Sequence, residues 1–242
     1  LAGVTISAPE HPEYGQVLTR ADGTYEFAVN GNLAVVLRYD RSDRLTAERT
    51  FDVHHHEWVA AEDVVMIGMS TVSGTVTTGS SAPQWVQSGT ESDGDGSRHA
   101  TIAFPPATTA QAVLPNGTRQ SLGSLTVRAT EYTVGDDGRN ALPGSMPDRI
   151  GIQYAAEFTV DEARALNATS VEFSQPVDVY LDGAFLGFPV GAVVPVGSYD
   201  STLHAWVGAP DGTVIKIPAI TNGVAMIDVH GDGDADSDAD CE

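Results

Sequence analysis

The chain has 242 residues, 41% of them hydrophobic, a content that excludes intrinsic disorder and leaves room for one large or two ordinary domains. Its 33 acidic residues outnumber its 12 basic ones, and the net charge of -21 disfavours nucleic acid and anionic membranes as partners. No run of about 18 apolar residues occurs, so we predict no membrane span.

Short runs rich in valine, threonine, isoleucine, tyrosine and phenylalanine recur along the chain and predict β-strands. Asp-Gly pairs at 22–23, 137–138, 182–183 and 211–212 and an Asn-Gly pair at 116–117 separate many of them, and such pairs favour hairpin turns. The predicted strands are Thr24–Val29, Leu33–Tyr39, Asp63–Ile67, Ala100–Phe104, Leu125–Tyr132, Ile152–Phe158, Ser170–Phe173, Val177–Leu181, Ala205–Val207 and Val214–Ile217.

One helix interrupts the strands. Thr159 and Glu162 have the spacing of a capping box, and the alanine-rich residues that follow predict a short helix that ends near Asn167. The polar run from Ser88 to Ser97 is predicted to be an exposed loop. A single cysteine, Cys241, predicts no internal disulfide, so the fold must depend on burial and hydrogen bonds.

These patterns predict an all-β protein of two consecutive β-sandwich domains with one short helix and an acidic C-terminal tail. Residue 70 is the predicted boundary, because a hairpin-rich segment closes there and a run rich in serine, threonine and glycine begins. The predicted domains are residues 1–70 and 71–227, followed by an acidic segment, 228–242.

The acidic segment is the first candidate site. Calcium loops of the EF-hand kind place oxygen ligands at alternate positions around a glycine. Counted from Asp228, aspartates occupy positions 5, 7 and 9 and a glycine occupies position 6, but His230 is at position 3 and Ala239 at position 12. Two interpretations stay open, a calcium site and a hydrated acidic terminus. The predicted ligands are Asp228, Asp232, Asp234, Asp236, Asp238 and Asp240.

Three adjacent histidines, His54 to His56, form the second candidate. If the segment is a strand, His54 and His56 share a face and could bind zinc or nickel with further ligands. The chain contains no His-Glu-x-x-His pattern, so a polar loop before Trp58 is the alternative. No Gly-x-Ser-x-Gly elbow or glycine-rich phosphate loop follows a predicted strand, and we predict no catalytic residue.

The densest apolar region runs from Phe185 to Val196 and continues to Tyr199 and Trp206. Glycines and prolines interrupt it, which favours a bent strand pair over a helix. This region is interpreted either as core or as a surface that contacts a partner.

Two parts of the chain resemble known families. Residues 11–31, HPEYGQVLTRADGTYEFAVNG, resemble the hairpin of transthyretin-like (carboxypeptidase-regulatory-like) β-sandwiches. Segments between residues 127 and 217 resemble the region that precedes the repeats in bacterial RHS/YD-repeat proteins, the teneurin-like group. The run Phe-Pro-Val-Gly, residues 188–191, followed by Val-Pro-Val-Gly-Ser-Tyr-Asp, residues 194–200, is the most specific part of that resemblance.

The resemblance implies a transthyretin-like domain followed by a fibronectin-plug-like domain, a non-catalytic structural module that caps or plugs a β-shell. The implied partners are the YD-repeat shell, other domains of the same polypeptide or other proteins, and the implied location is secreted or at the bacterial cell surface. A calcium-dependent extracellular adhesion module is the alternative. A metallo-hydrolase that uses His54 and His56 is the third hypothesis.

Overall fold

The computed structural model describes residues 1–135, 138–146, 151–182, 184–222 and 224–236, and these residues form mainly short antiparallel strands. The predicted all-β, sandwich-type fold is confirmed. The strands are β1 Thr5–Ser7, β2 Gln16–Leu18, β3 Leu33–Asp40, β4 Ala47–Val53, β5 Gly74–Thr77, β6 Gln84–Gln87, β7 Glu91–Asp93, β8 Gly96–Arg98, β9 Ala100–Phe104, β10 Ala110–Val113, β11 Arg119–Leu122, β12 Ser124–Glu131, β13 Ala156–Val160, β14 Ser170–Phe173, β15 Asp178–Leu181, β16 Val193–Asp200, β17 Ala205–Thr213, β18 Lys216–Thr221 and β19 Val224–Asp228.

One α-helix, α1 Asp161–Ala165, lies between β13 and β14, and single 3₁₀ turns occur at Pro12–Tyr14, Gly138–Ala141 and Ala184–Leu186. The chain divides into a first unit, Leu1–Ser145 with Arg149–Asp182, and a second unit, Met146–Asp148 with Gly183–Glu242. The domain boundaries predicted at residues 70 and 227 stay predictions.

The first sheet has the strand order β2-β1-β3-β4 and is antiparallel throughout. Side chains of β3 alternate, so that Val35, Leu37 and Tyr39 are buried on one face. On that face they pack with Val4 and Ile6 into a hydrophobic cluster. The alternation seen in the sequence therefore determines which face of this sheet is apolar.

Residues 74–182 contain three further sheets, ordered β11-β10-β14, β13-β12-β5 and β15-β9-β6. All three contribute to one apolar cluster, in which Phe104, Leu125 and Val76 are among the fully buried side chains. The Asn116-Gly117 turn joins β10 to β11 as predicted, with Gly117 at a φ of 80° and the Leu114 N–H donating to the Thr118 carbonyl over 2.8 Å. This part of the chain therefore has an apolar core of its own.

The short helix forms where predicted, but the capping box is wrong. Val160 is the N-cap residue and makes no side-chain cap. The Glu162 carboxylate instead accepts hydrogen bonds from the backbone N–H and the hydroxyl of Thr126, each over 2.8 Å. The helix ends before Asn167, which has a φ of 52°. The Glu162 side chain is therefore bound to β12 and is not available to cap its own helix.

Several predicted strands need correction. Thr24–Val29 and Asp63–Ile67 are not strands, because neither segment pairs with a neighbour in a ladder. Ser88–Ser97 is not a plain loop, since the hairpin of β7 and β8 forms within it. The Asp211-Gly212 pair does not close a turn but lies inside β17, opposite a register shift between Val194 and Val196.

Two arginines fasten separate parts of the first unit. Arg128 on β12 donates to the Asp161 carboxylate, with its closest contact at 2.7 Å, and to the Ser70 carbonyl over 2.9 Å. Arg49 on β4 donates to the backbone carbonyls of Asn140 and Leu142 over 2.6 Å and 3.0 Å. Planar guanidinium groups with several fixed donors suit such bridging. Both arginines therefore join segments that are distant in sequence.

The second unit consists of two hairpins, β16 with β17 and β18 with β19. Tyr199 and Trp206 pack edge to face across the first hairpin, with ring centroids 5.6 Å apart. Among the described residues of this unit only Asp228 is buried. Within the described ranges of the chain, no helix is both long and apolar enough to cross a membrane.

Gly74 on β5 is a packing position that we expect to reject a side chain. A Cβ atom placed there would lie 2.7 Å and 2.8 Å from the two methyl carbons of Val86, which is buried. Gly74→Ala should therefore lower the free energy of unfolding by about 1–3 kcal/mol, as overpacked core substitutions do. Chemical denaturation of the full chain measures this change.

Gly123→Ala is the matched control, because nothing lies within 4 Å of a Cβ at Gly123. Its free energy of unfolding should be unchanged or slightly raised. Equal stability of the two variants would contradict the packing assigned to Gly74.

Candidate functional sites

The acidic segment begins with a buried carboxylate. Asp228, the last residue of β19, is 0% exposed. Its Oδ1 accepts the backbone N–H groups of His230 and Gly231 over 3.1 Å and 2.6 Å, and its Oδ2 accepts that of Gly233 over 3.0 Å. A short chain loop is thereby wrapped around one carboxylate, as aspartate side chains do in turns. Asp228 organises the loop through its backbone.

Asp236 closes the same loop. Its carboxylate accepts the Val229 N–H over 2.5 Å and contacts His230 Nδ1 at 2.9 Å. The Val229 hydrogen bond first, and then His230, lowers the pKa of Asp236 below its ordinary value. Its contribution to stability is therefore present above the ordinary carboxyl pKa and is lost as the pH falls through the lowered value.

Two of the remaining predicted ligands, Asp232 and Asp234, lie within the described residues. Asp232 and Asp234 are exposed, and Asp232 accepts the Asp234 backbone N–H over 2.9 Å. Asp238 and Asp240 lie outside the described residues. Among the residues that the structure describes, no group of three or more histidine, cysteine, aspartate or glutamate side chains has the arrangement of a metal site. Calcium binding by this segment stays a prediction.

The loop contacts the turn that precedes β16. Gly191, the last residue of the Phe-Pro-Val-Gly run, has a φ of 81°, and a Cβ atom there would lie 2.7 Å from the Val229 carbonyl oxygen. A Cβ atom at Gly231, also at a φ of 81°, would lie 3.4 Å from the Val190 carbonyl oxygen. Glycines at both points let the two backbones approach each other. The most specific sequence run and the acidic loop are thus neighbours within the second unit.

The three histidines lie beyond the end of β4, which stops at Val53. All three are exposed, and the rings of His55 and His56 are 4.0 Å apart. His56 has a φ of 61°, so the backbone turns there and His54 and His56 do not share a strand face. The geometry that the two-histidine hypothesis requires is absent from this segment.

The apolar run from Phe185 to Val196 is largely uncovered. Phe188, Val193 and Val196 are 40%, 66% and 45% exposed, and Phe185 and Leu186 are half-buried. The interpretation of this run as core is therefore wrong for Phe188, Val193 and Val196, and its interpretation as a surface that contacts a partner stays a prediction. The later strands β18 and β19 share this character, because Ile217, Ile220 and Val224 are also exposed.

Sequence reasoning missed a cavity of about 780 Å³ within residues 1–66. Its floor is the apolar face of the first sheet, including Val35 and Leu37, and its walls are the unpaired segments 22–29 and 57–66. The hydroxyl groups of Tyr25 and Tyr39 meet there at 2.6 Å. Burial raises the pKa of both tyrosines, so both stay neutral. The volume lies within the range of about 300–1,000 Å³ that is usual for ligand pockets.

Comparison with known proteins concerns this same part of the chain. The family model described as "Teneurin TTR-like domain" matches residues 1–66. Residues 1–66 are therefore similar to a teneurin TTR-like domain. The predicted transthyretin-like character of the first segment is therefore confirmed at this level, whereas the fibronectin-plug-like character of residues 71–227 stays a prediction.

Several animal teneurins are similar to this segment. Teneurin-1 of Mus musculus is 35% identical over 66 residues, which are 27% of this chain and 2% of that protein. Teneurin-4 of Homo sapiens is 30% identical over 66 residues, with the same shares. Teneurin-1 of Caenorhabditis elegans is 33% identical over 70 residues, 29% of this chain and 3% of that protein. The matched part thus spans only a few per cent of these relatives.

We expect the loop after β19 to depend on the Asp228 carboxylate whether or not a cation binds. Asp228→Ala leaves three backbone N–H groups without their acceptor, and an unsatisfied group costs on the order of 1–3 kcal/mol. Hydrogen exchange of the Gly231 and Gly233 amides should accelerate about tenfold or more, and Asp228→Asn should have an intermediate effect.

Asp211→Ala is the control, because Asp211 is an exposed aspartate of the same unit and does not touch this loop. It should leave both exchange rates unchanged. Unchanged rates in Asp228→Ala would show that the carboxylate does not organise the loop.

Proposed function

We propose that the chain is a non-catalytic structural module of a secreted or cell-surface RHS/YD-repeat protein, in which it caps or plugs a β-shell. The teneurin TTR-like domain at residues 1–66 supports an extracellular structural role. The exposed apolar strands of the second unit carry the capping part of the proposal. The matched relatives are animal proteins, so a bacterial source is carried by the sequence resemblance alone.

The described part of the second unit lacks the core that an independent domain needs. In its described part, 184–222 and 224–236, no hydrophobic residue is buried. Two-stranded hairpins are marginally stable in water unless an apolar face packs against something. The hairpins β16–β17 and β18–β19 therefore require a covering surface, which the shell of the same polypeptide would supply.

The exposed side chains of this unit suit such a contact. Val193, Ile220 and Val224 are 66%, 71% and 64% exposed, and each would gain about 1–2 kcal/mol on complete burial. Large uncovered apolar areas on soluble proteins mark interaction surfaces. The first unit needs no such cover over residues 74–182, where one apolar cluster is already buried. A plug formed by the second unit is consistent with this difference.

A calcium-dependent extracellular adhesion module is the second candidate. The observation in its favour is the ordered loop after Asp228, which leaves the Asp232 and Asp234 carboxylates exposed. Oxygen-rich, flexible loops of this composition suit calcium. A cation would bind to the exposed carboxylates of this loop, whose backbone N–H groups already donate to Asp228 and Asp236.

Hydrogen exchange tests the capping proposal on the full chain. Amides of β16 to β19 should exchange much faster than those of β9, β10 and β12, because only the latter pack on a buried core. Addition of the YD-repeat shell of the same polypeptide should slow exchange in β16 to β19 by at least about tenfold.

Ile220→Glu should weaken shell binding, and Thr202→Glu, at an exposed polar residue, is the control. If addition of the shell slowed hydrogen exchange only in residues 1–66, the proposal that the second unit is a plug would be refuted.

A calcium titration tests the second candidate. Tight binding to the native state must raise the melting temperature, because it adds about 2.7 kcal/mol to the free energy of unfolding when the free ion is at 100 times Kd. The paired substitution Asp232→Asn and Asp234→Asn should abolish that increase and leave the calcium-free melting temperature unchanged. An increase that persists in the double variant would place the cation elsewhere, and no increase in the unaltered chain would end the hypothesis.

A further inference from the structure

The cavity of the TTR-like domain is bounded by two extended segments, residues 25–29 and 59–66, which we call the open layer. Both segments line the cavity opposite the first sheet. None of their backbone N–H or C=O groups takes part in a backbone–backbone hydrogen bond. Extended backbone without a ladder partner is a template for pairing with another strand. The open layer therefore offers unused hydrogen-bonding edges beside an apolar space.

Side chains of residues 25–29 already have the alternation of a strand. Tyr25, Phe27 and Val29 are half-buried and pack against the hydrophobic cluster of the first sheet, whereas Glu26 and Ala28 are exposed. From residues 59–66, Val64 and Met66 also pack against that cluster. Five extended residues span about 16 Å. A strand of similar length could pair with this edge and place alternate side chains in the cavity.

All the charged side chains that line the cavity are acidic. Asp22, Glu26, Glu57, Glu62 and Asp63 line it, and no lysine or arginine does. Arg20 contacts Glu26 at 3.1 Å from outside the lining, and the other four carboxylates have no basic partner among the lining residues. Opposite charges on neighbouring strands attract across a sheet. The charge of this lining thus selects a basic partner.

We propose that the cavity of the TTR-like domain binds an extended peptide segment in which basic and apolar side chains alternate, and that the segment adds as a strand to the open layer. Its apolar side chains enter the cavity and its basic side chains lie on the outer face near Glu26 and Glu62. Main-chain hydrogen bonds give affinity in this mode, and the alternate side chains give specificity. This site is separate from the apolar strands of the second unit.

The probe is a short capped peptide in which lysine alternates with valine, titrated into the isotope-labelled full chain and followed by NMR. We expect saturable shifts of the amides of residues 25–29 and 59–66. Two further peptides are N-methylated, one at its odd-numbered amides and the other at its even-numbered amides. At least one of them should lose binding, because methylation removes the N–H groups that would donate to the open layer. Undiminished binding of both methylated peptides would overturn strand addition, since an apolar pocket alone needs no main-chain donors.

Charge variants test the choice of partner. Glu62→Lys should weaken binding of the lysine peptide about five- to tenfold, because it replaces an attraction with a repulsion. Glu10→Lys makes the same charge change at an exposed residue that does not line the cavity, and it should leave the affinity unchanged. A peptide with glutamate in place of lysine should not bind. Equal affinity for the two peptides, or no binding of the lysine peptide to the folded chain, would overturn the proposal.

Discussion

A β-sheet with one apolar face must have that face covered, and the parts of this chain satisfy this requirement to different degrees. Residues 74–182 satisfy it internally, because three small sheets and the short helix α1 enclose one cluster around Phe104 and Leu125. A buried side chain of this size stabilises a fold by a few kcal/mol, which is a large part of the net stability of any domain. This sandwich is therefore the best-covered part of the structure.

The other two parts leave apolar surface open. In the TTR-like domain the first sheet is complete, but the layer opposite it consists of unpaired segments around a cavity of about 780 Å³. In the second unit the described residues bury only Asp228. Large open apolar areas on proteins in general mark interaction sites. The proposed plug corresponds to the uncovered strands of the second unit, and the proposed peptide site corresponds to the cavity in residues 1–66.

Charged side chains in this protein fix the paths of connecting segments more than they add to its stability. Arg128 links Ser70 to Asp161, and Arg49 reaches the carbonyls of Asn140 and Leu142, so each arginine fixes the path of a connecting segment. Pairs of this kind at partly exposed positions add modestly to stability. The net charge of -21 acts over a longer range, since it repels anionic partners and attracts basic ones.

The sequence by itself determined the strand class, the acidic character and many of the element positions. Ala100–Phe104 and Ser170–Phe173 are strands with the predicted bounds, and the Asn116-Gly117 turn closes its hairpin, because side-chain alternation and turn chemistry are local properties. The teneurin TTR-like match likewise agrees with the resemblance noted in residues 11–31. Local patterns suffice wherever neighbours in sequence are also neighbours in space.

Only the tertiary structure decided which strands found partners and which polar groups became buried. Thr24–Val29 has the alternation of a strand yet pairs with nothing, and Glu162 bonds to Thr126 instead of capping its own helix. Asp228 looks like the other aspartates of its segment but is fully buried, whereas Asp232 is exposed. The alternation of apolar and polar residues in a segment determines which of its faces is apolar. A strand ladder, a buried hydrogen-bond acceptor or a cavity also requires groups far away in the chain, and their positions are set only when the sheets pack.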